Sequence, residues 1–531
     1  MTAESFITYR LRECLSSCLA TAGREGLGIV SSAMEGILRN LDSPMQLAVI
    51  GRVSSSKSTL VNAVLGKADI VGTGQMEETF NVSWLKYGPS DGDVKVVFKD
   101  GTVSSVPRRE WKHWVGQEKD ALKERVKYLE VTYEHDILKQ VNIIDTPGLD
   151  SAKGIDSRNT IDFLTDVRPD AVLMVFTKGL AQSTLDVVKE FQGGSRNSFC
   201  LSPLNAVGLL SKTDLFWRVH DGGLHPNAKA RNDVIEGSIY KLFPDVKESL
   251  FTILPISAML GLASRTVDER DVDLLARLAT ADASDLEEML HGVNDFLDDF
   301  FVTDISVDER RYLYQKFGLY GIHEALKLAK AGHLDVQALR ALYYDVSGMA
   351  DFEDVLYSHF GQRSFLIKTQ SASQVISRAC ALQRESLGKG PALDAVNRIQ
   401  EAVLACLMDI FEYKQLDLLT KIYENKMNVN DSSAVEEYKR VCGEYGASVV
   451  SKLGLSGEPS IDEMAALSSK KRQDWNKKYH LSYYSSPGTA ELYRMLSSSY
   501  DMLAKDIDEV GKKADEAAKV LKMANSFFYG K

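Results

Sequence analysis

Proline is scarce, with 12 in 531 residues. Proline breaks helix interiors, so its rarity leaves room for long uninterrupted helices. Cysteine is scarce too. Its six copies, Cys14, Cys18, Cys200, Cys380, Cys406 and Cys442, are scattered and form no CxxC pair. Cys14 and Cys18 stand four residues apart, on one face of a helix; without a histidine cluster beside them, packing explains them better than metal binding. An excess of basic charge is absent. The net charge of -11 argues against nonspecific binding of nucleic acid through the whole surface and leaves room for a local basic patch. Long apolar runs are absent as well. Stretches such as Ala402–Ile410 and Ala171–Phe176 are too short to span a bilayer, and the opening MTAESFITYRLREC has no run of signal-peptide type. The expected setting is the reducing cytoplasm, with any membrane contact peripheral. There is no short-period repeat and no low-complexity tract.

A chain of this length exceeds the size at which a single core stops growing, so two or more units are expected. Residues 5–41 read as one amphipathic helix, with Phe6, Leu11, Leu15, Leu19, Leu27, Val30, Met34 and Leu38 on its apolar face and an irregularity near Gly23–Gly28. From Gln46 to about Ala263, short apolar strands alternate with helical segments: Gln46–Gly51, Val94–Phe98, Val141–Ile144, Ala171–Phe176, Asn205–Leu210 and Phe251–Pro255. That alternation predicts a mostly parallel sheet wrapped by helices. After about Leu274 the strand signal vanishes. Residues 371–428 and 488–526 place apolar side chains at three- and four-residue steps, as bundle helices do.

Gly51-Arg-Val-Ser-Ser-Ser-Lys57-Ser58-Thr59 follows a strand and opens a helix, nearly fitting the phosphate-binding pattern GxxxxGK[ST]. In that pattern the backbone amides from Gly51 through Ser54, Ser55, Ser56 and Thr59 cradle phosphate, Lys57 reaches the outer phosphates, and the Ser58 hydroxyl ligates Mg²⁺. Ser56 stands where the second glycine belongs, in a backbone conformation that costs other residues of order 1 kcal/mol. Val141-Asn-Ile-Ile-Asp145-Thr-Pro-Gly148 ends a buried strand in DTPG. Its aspartate is placed for the Mg²⁺ shell, and the Gly148 amide for the γ-phosphate. Asn205-Ala-Val-Gly-Leu-Leu-Ser211-Lys212-Thr213-Asp214 ends another strand in the pattern [NT]KxD, with serine in first position. Asp214 can accept the ring N–H and the exocyclic amine of guanine, a donor pair that adenine lacks. Lys212 would pack over the base and brace the phosphate loop. Phe251-Thr-Ile-Leu-Pro-Ile-Ser257-Ala258 ends a fourth strand, where a backbone amide near Ala258 would meet the guanine carbonyl. Between Ala68 and Val82, Thr79 is the candidate to bring its hydroxyl to Mg²⁺ and its amide to the γ-phosphate. Lys57, Ser58 and Thr79 are thus the candidate catalytic residues, and Ser58, Thr79 and Asp145 the candidate metal ligands, for GTP, GDP and Mg²⁺.

With these motifs in order, the chain resembles the bacterial dynamin-like proteins. Gly51–Gly88 carries the likeness (GRVSSSKSTLVNAVLGKADIVGTGQMEETFNVSWLKYG), with a second match at Lys316-Phe-Gly-Leu-Tyr-Gly-Ile322. The resemblance implies an α/β P-loop GTPase head with a mostly parallel sheet, plus an all-α helical bundle stalk. The implied division is an N-terminal neck helix over 1–42, a head over 43–330, and a neck and stalk over 331–531 with a tip around 450–487. It further implies head-to-head dimerisation that stimulates hydrolysis, larger self-assembly with itself or a related dynamin-like partner, and peripheral membrane remodelling. No nucleic acid is implied. Ser56 and Val53, the latter standing where eukaryotic dynamins carry a water-orienting glutamine, argue against fast hydrolysis. A slow switch acting on a protein partner, such as a secretion apparatus, is the alternative. A ribosome-assembly GTPase would need a basic RNA-binding domain, and the acidic helical half argues against it.

Within Ser468–Tyr484, Lys470, Lys471, Arg472, Lys477 and Lys478 interleave with Trp475, Tyr479, Tyr483 and Tyr484. One reading is a tip that sits on anionic lipid headgroups; the plainer one is a solvated helix. Trp111, His113 and Trp114 read as an insert in the head, and Phe527-Phe528-Tyr529 as a helix end.

Overall fold

The computed structural model describes residues 3–41, 43–52, 54–71, 81–110, 125–148, 167, 169–177, 203–218, 225–244, 246–361, 364–423, 426–444, 448–482 and 485–529. Thr79, Val53, the Trp111–Trp114 insert, Tyr483 and Tyr484 lie outside them, as do the side chains of Phe527, Phe528 and Tyr529. The chain divides into two compact units, a head of Asp42–Ser371 and a second unit of Met1–Leu41 with Ala372–Lys531.

The opening helix is two helices, α1 (Ala3–Arg24) and α2 (Gly28–Leu41). Gly26, at φ 66°, ends the first. Leu27 N–H reaches the Ala22 carbonyl at 2.9 Å and Gly26 N–H the Gly23 carbonyl at 3.3 Å, the paired closure that a left-handed glycine allows. Leu11, Leu15, Cys18 and Ala22 bury one face of α1, and Val30, Met34 and Ile37 one face of α2. Leu19 and Leu38 are only half-buried.

The head is built on nine strands: β1 (Met45–Gly51), β2 (Ser83–Tyr87), β3 (Val94–Phe98), β4 (Val103–Val106), β5 (Val126–Tyr133), β6 (Val141–Asp145), β7 (Ala171–Phe176), β8 (Ala206–Leu210) and β9 (Ile253–Pro255). Their order is β4-β3-β5-β2-β6-β1-β7-β8-β9. The run β6-β1-β7-β8-β9 is parallel throughout. β2 joins it antiparallel to β6, and β3 lies antiparallel to both β4 and β5. Every residue of β1, β6, β7 and β8 is buried, because helices cover both faces of a parallel sheet. That is why these strands stand out as continuous apolar runs. β4 and β5 escape the same reading: β4 is exposed along most of its length, and β5 is buried at only three of its eight positions.

Helices α3 (Lys57–Leu65), α4 (Ala258–Thr266), α5 (Glu269–Leu278), α6 (Val307–Lys330) and α7 (Val336–Ser347) belong to the head. Leu260, Leu274, Phe317, Ile322, Leu339 and Tyr343 share one buried cluster. The head therefore runs to Ser371 instead of ending at 330. Residues after 330 pack back on the sheet-side helices: Ser257 N–H donates to the Ser347 carbonyl at 2.8 Å, and a side chain on Gly348, at φ 79°, would meet the Pro255 carbonyl at 2.5 Å.

Helix α8 (Ser364–Glu385) crosses from the head into the second unit. There follow α9 (Pro391–Met408), α10 (Phe411–Tyr423), α11 (Ser432–Val441), α12 (Ile461–Leu481) and α13 (Pro487–Tyr529), an all-helical unit. Helix α12 carries the basic aromatic stretch, and three of its five basic residues are paired within its own bundle. Lys471 Nζ donates to Glu437 at 2.6 Å, Arg472 pairs with Asp501 at 2.6 Å, and Lys478 lies 3.6 Å from Asp431 and 4.2 Å from the ring of Trp475. Trp475 is buried against Tyr493. No described helix is long and apolar enough to cross a membrane.

Candidate nucleotide site

Parallel strands present their carboxyl ends on one edge of a sheet, where ligands of open α/β folds bind. Here the four motif-bearing segments follow β1, β6, β8 and β9, all within the parallel run. The turn after β1 is tight. Gly51 ends the strand at φ 157°, and a Cβ there would stand 2.1 Å from the Val175 carbonyl of β7. Ser54 (φ 58°) and Ser56 (φ 69°) both take left-handed backbone. The strain expected at Ser56 is therefore present, and a second strained serine accompanies it. Ser56 then serves as the residue before α3, without capping it through its side chain.

Lys57 is buried, and its ammonium donates to the carbonyls of Arg52 at 3.0 Å and Gly51 at 3.2 Å, folding back over the loop. Burial lowers its pKa to about 8, against the opposing pull of Asp145. Ser58 Oγ donates to Asp145 Oδ2 at 2.8 Å. Asp145 is fully buried. That burial raises its pKa to about 6, while the charge of Lys57 and the Ser58 hydrogen bond act the other way. Its second oxygen, Oδ1, has no hydrogen-bond partner among the described residues, and neither has the buried hydroxyl of Ser55. Buried orphaned oxygens are costly unless a ligand completes them. A carboxylate and a hydroxyl together are the hard oxygen donors that Mg²⁺ takes, so the residues present fit that ion. Thr146 Oγ1 donates to the Val49 carbonyl at 2.8 Å and fixes the turn in which Gly148 lies buried.

At the end of β8, Ser211 donates its hydroxyl to the Ser55 carbonyl at 2.8 Å. The expected brace between this strand and the phosphate loop thus comes through Ser211, while Lys212 takes left-handed backbone at φ 60°. Ser211 was legible only as a departure from [NT]; its retained hydroxyl was the available signal. Asp214 is held by Ser257, whose Oγ donates to Oδ1 at 2.6 Å. Burial raises the Asp214 pKa, opposed by that bond. Ser257 also caps α4, accepting from Leu260 N–H at 3.3 Å, so Ala258 opens that helix next to Asp214's support. Gly318, at φ 63° within α6, approaches this aspartate: a Cβ there would lie 3.7 Å from Asp214 Oδ2 and 2.8 Å from Met259. The Lys316–Ile322 segment therefore closes onto the base end of the site.

Two further supports were not anticipated. Asn62 of α3 exchanges two 2.9 Å hydrogen bonds with the backbone of Val71, pinning the segment that leads toward residue 72. Thr213 donates to Asn227 at 2.5 Å, and Asn227 reaches the Val346 carbonyl at 3.2 Å, tying the guanine motif to α7.

Residues 47–189 match the profile of the Dynamin family. That segment is dynamin-like. Over that segment the head resembles the dynamin-family GTPase domain, and the α/β head with an all-helical second unit fits the architecture that this implies. Over 456 residues, 85% of this chain and 88% of the relative, the chain is 26% identical to isoniazid-induced protein IniC of Mycobacterium tuberculosis. It is 27% identical to dynamin-like protein 2 of Campylobacter jejuni over 189 residues, 35% of this chain and 30% of that one. Among solved structures, an oligomerised bacterial dynamin pair, described as sensing and tethering membranes, aligns with 98% of this chain and 79% of its own at 15% identity and a TM-score of 0.31. So loose a superposition carries no argument about this chain.

Proposed function

We propose that this chain binds GTP and GDP with Mg²⁺ and hydrolyses GTP, coupling nucleotide state to association of its heads. The observation that carries the reading is the convergence of Lys57, Ser58 and Asp145 with Asp214 and Ser257 at the carboxyl ends of parallel strands. Gly51 through Thr59 would wrap the phosphates with backbone amides, and Lys57 would turn from its own carbonyls to the outer phosphates. Ser58, Asp145 and Thr79 would hold Mg²⁺, which when bound supplies charge neutralisation between the outer phosphates. Asp214 would select guanine over adenine, with the Ala258 amide at the base carbonyl and Lys212 over its face. Gly148 would report the γ-phosphate.

Association of two heads, assembly with itself or a dynamin-like partner, and peripheral contact with a membrane from the cytoplasm belong to the same reading. The alternative is a slow switch on a protein partner, and the left-handed serines of the phosphate loop favour it by straining the cradle. The deciding experiment is GTP turnover against protein concentration, with and without liposomes, beside calorimetry with GTP and GDP. Turnover per molecule that rises with concentration supports hydrolysis coupled to association; flat, slow turnover supports the switch. Lys57→Ala should lower GTP affinity at least a hundredfold, roughly 3 kcal/mol. Unchanged affinity would remove the site assignment altogether.

A further inference from the structure

The second unit gathers four of the chain's cysteines where α1, α8 and α9 meet. Helices α1 and α9 run antiparallel here. Cys14 Sγ lies 3.7 Å from the carbonyl of Ala402, and Cys406 Sγ lies 3.9 Å from the carbonyl of Arg10. Each thiol thus rests on the backbone one helical turn before the other, and the Arg10–Asp409 ion pair at 3.3 Å continues the same register. Both thiols are half-exposed, whereas Cys18 and Cys380 beside them are buried. From this reciprocal placement we propose that Cys14 and Cys406 are an oxidation site, closing to a disulfide that staples the first helix to α9 when a peroxide reaches the seam.

The competing pair is Cys14 with Cys18, whose thiols also interact. Geometry decides against it. Residues four apart on a helix hold their Cβ atoms about 5–6 Å apart, whereas a disulfide needs about 3.5–4.5 Å. Closing that pair would require α1 to unwind. The Cys14 and Cys406 thiols interact across a seam between two helices, where no single helix has to unwind to bring them together.

The chemistry balances. Peroxide oxidises one thiol to a sulfenic acid and leaves as water. The second thiol attacks that sulfur, the S–S bond forms, and a second water departs with the remaining protons. Two thiols lose two electrons and one peroxide gains them. Burial and the neighbouring Cys14 push the Cys406 thiol up to about 11, so little thiolate stands ready at neutral pH. The seam is a slow responder that sustained peroxide closes, and not a fast sensor.

The test uses the full chain, treated with hydrogen peroxide, blocked with an alkylating reagent, and digested without reductant. The expected result is a linked peptide pair carrying Cys14 and Cys406 within one molecule. It should disappear with reductant and in Cys406→Ser, persist in Cys380→Ser, and accompany an upward shift in melting temperature of the oxidised wild type. A Cys14–Cys18 link, a link between two copies, or full alkylation of Cys14 and Cys406 after peroxide would each overturn the proposal. The wild-type map decides alone, so a variant that fails to fold does not rescue the idea.

Discussion

Serine at position 56 is where local sequence and local conformation conflict. Its left-handed backbone costs a residue with a Cβ about 1–2 kcal/mol relative to glycine. Ser56→Gly should therefore stabilise the nucleotide-free protein by roughly 1 kcal/mol, and tighten GTP binding or speed turnover. A weaker affinity in calorimetry would mean that the serine hydroxyl itself takes part in the loop. Asp145 and Lys57 make a second conflict, this one electrostatic. Burial pushes the Asp145 carboxyl up to about 6 from its ordinary 3.8. A carboxyl whose folded pKa is raised costs stability as pH climbs from about 4 to about 6, and the full cost persists above. Lys57, lowered from 10.5 to about 8, costs most below pH 8 and less as pH rises to 10.5. Both costs are therefore in force at neutral pH, where a metal and phosphates would offset them. Asp145→Asn should stabilise the nucleotide-free protein at pH 7 by about 1–3 kcal/mol, seen as a higher melting temperature, with the advantage gone near pH 4. The same variant should lose Mg²⁺-dependent GTP affinity. An apo protein that melts lower at pH 7 would show that Asp145 is structural.

At the scale of elements, what the sequence made legible follows burial. Val94–Phe98 and Ala171–Phe176 were readable to the residue, and the motif strands to within one or two, because β-branched and apolar runs bounded by turn residues have few other uses. β4 was not, since Val103-Ser-Ser-Val106 is a short exposed edge whose only signal is its pairing with β3. The two-helix nature of residues 3–41 was half legible: glycines marked an irregularity, but only the φ of Gly26 shows that it ends a helix. The lysines of α12 were legible in number and illegible in purpose, because their partners Glu437 and Asp431 lie some thirty or more residues away in sequence. Glu437 shows what those partners do. It accepts from both Lys471 and Tyr500 at 2.6 Å. Burial pushes its pKa up, but those hydrogen bonds and charges outweigh it, and the group ends below its usual value. A lowered carboxyl contributes stability at neutral pH that is lost as pH falls through its folded value. Glu437→Gln should thus destabilise the helical unit by about 1–3 kcal/mol near pH 7, and the gap to wild type should close under acid. Denaturant titrations at the two pH values, followed by circular dichroism, measure it; a gap independent of pH would mean that Glu437 acts by packing alone.

For the whole molecule, the same ion pairs bear on how it could meet a membrane. The sequence offers five basic residues on α12, which at about 1 kcal/mol each near an anionic surface would support reversible binding. Three of them, Lys471, Arg472 and Lys478, are engaged by Glu437, Asp501 and Asp431. To reach lipid they would have to leave those partners, which offsets part of the gain. Lys470 and Lys477 remain exposed, with no ion pair among the described residues. Two such charges are worth roughly 2 kcal/mol before screening, and physiological salt screens charges beyond about 8 Å. The expected outcome is that Lys470→Glu with Lys477→Glu leaves cosedimentation with anionic vesicles unchanged at physiological salt. Exchanging Lys471 and Lys478 as well would break the seam to α11 and α13, and so report on folding instead of lipid. If the double exchange alone abolishes sedimentation, α12 is the membrane contact and its free lysines act with more help than the structure gives them. If wild type sediments and the double variant does too, another surface makes the contact. If neither sediments at any salt, the protein-partner switch becomes the better account of the head.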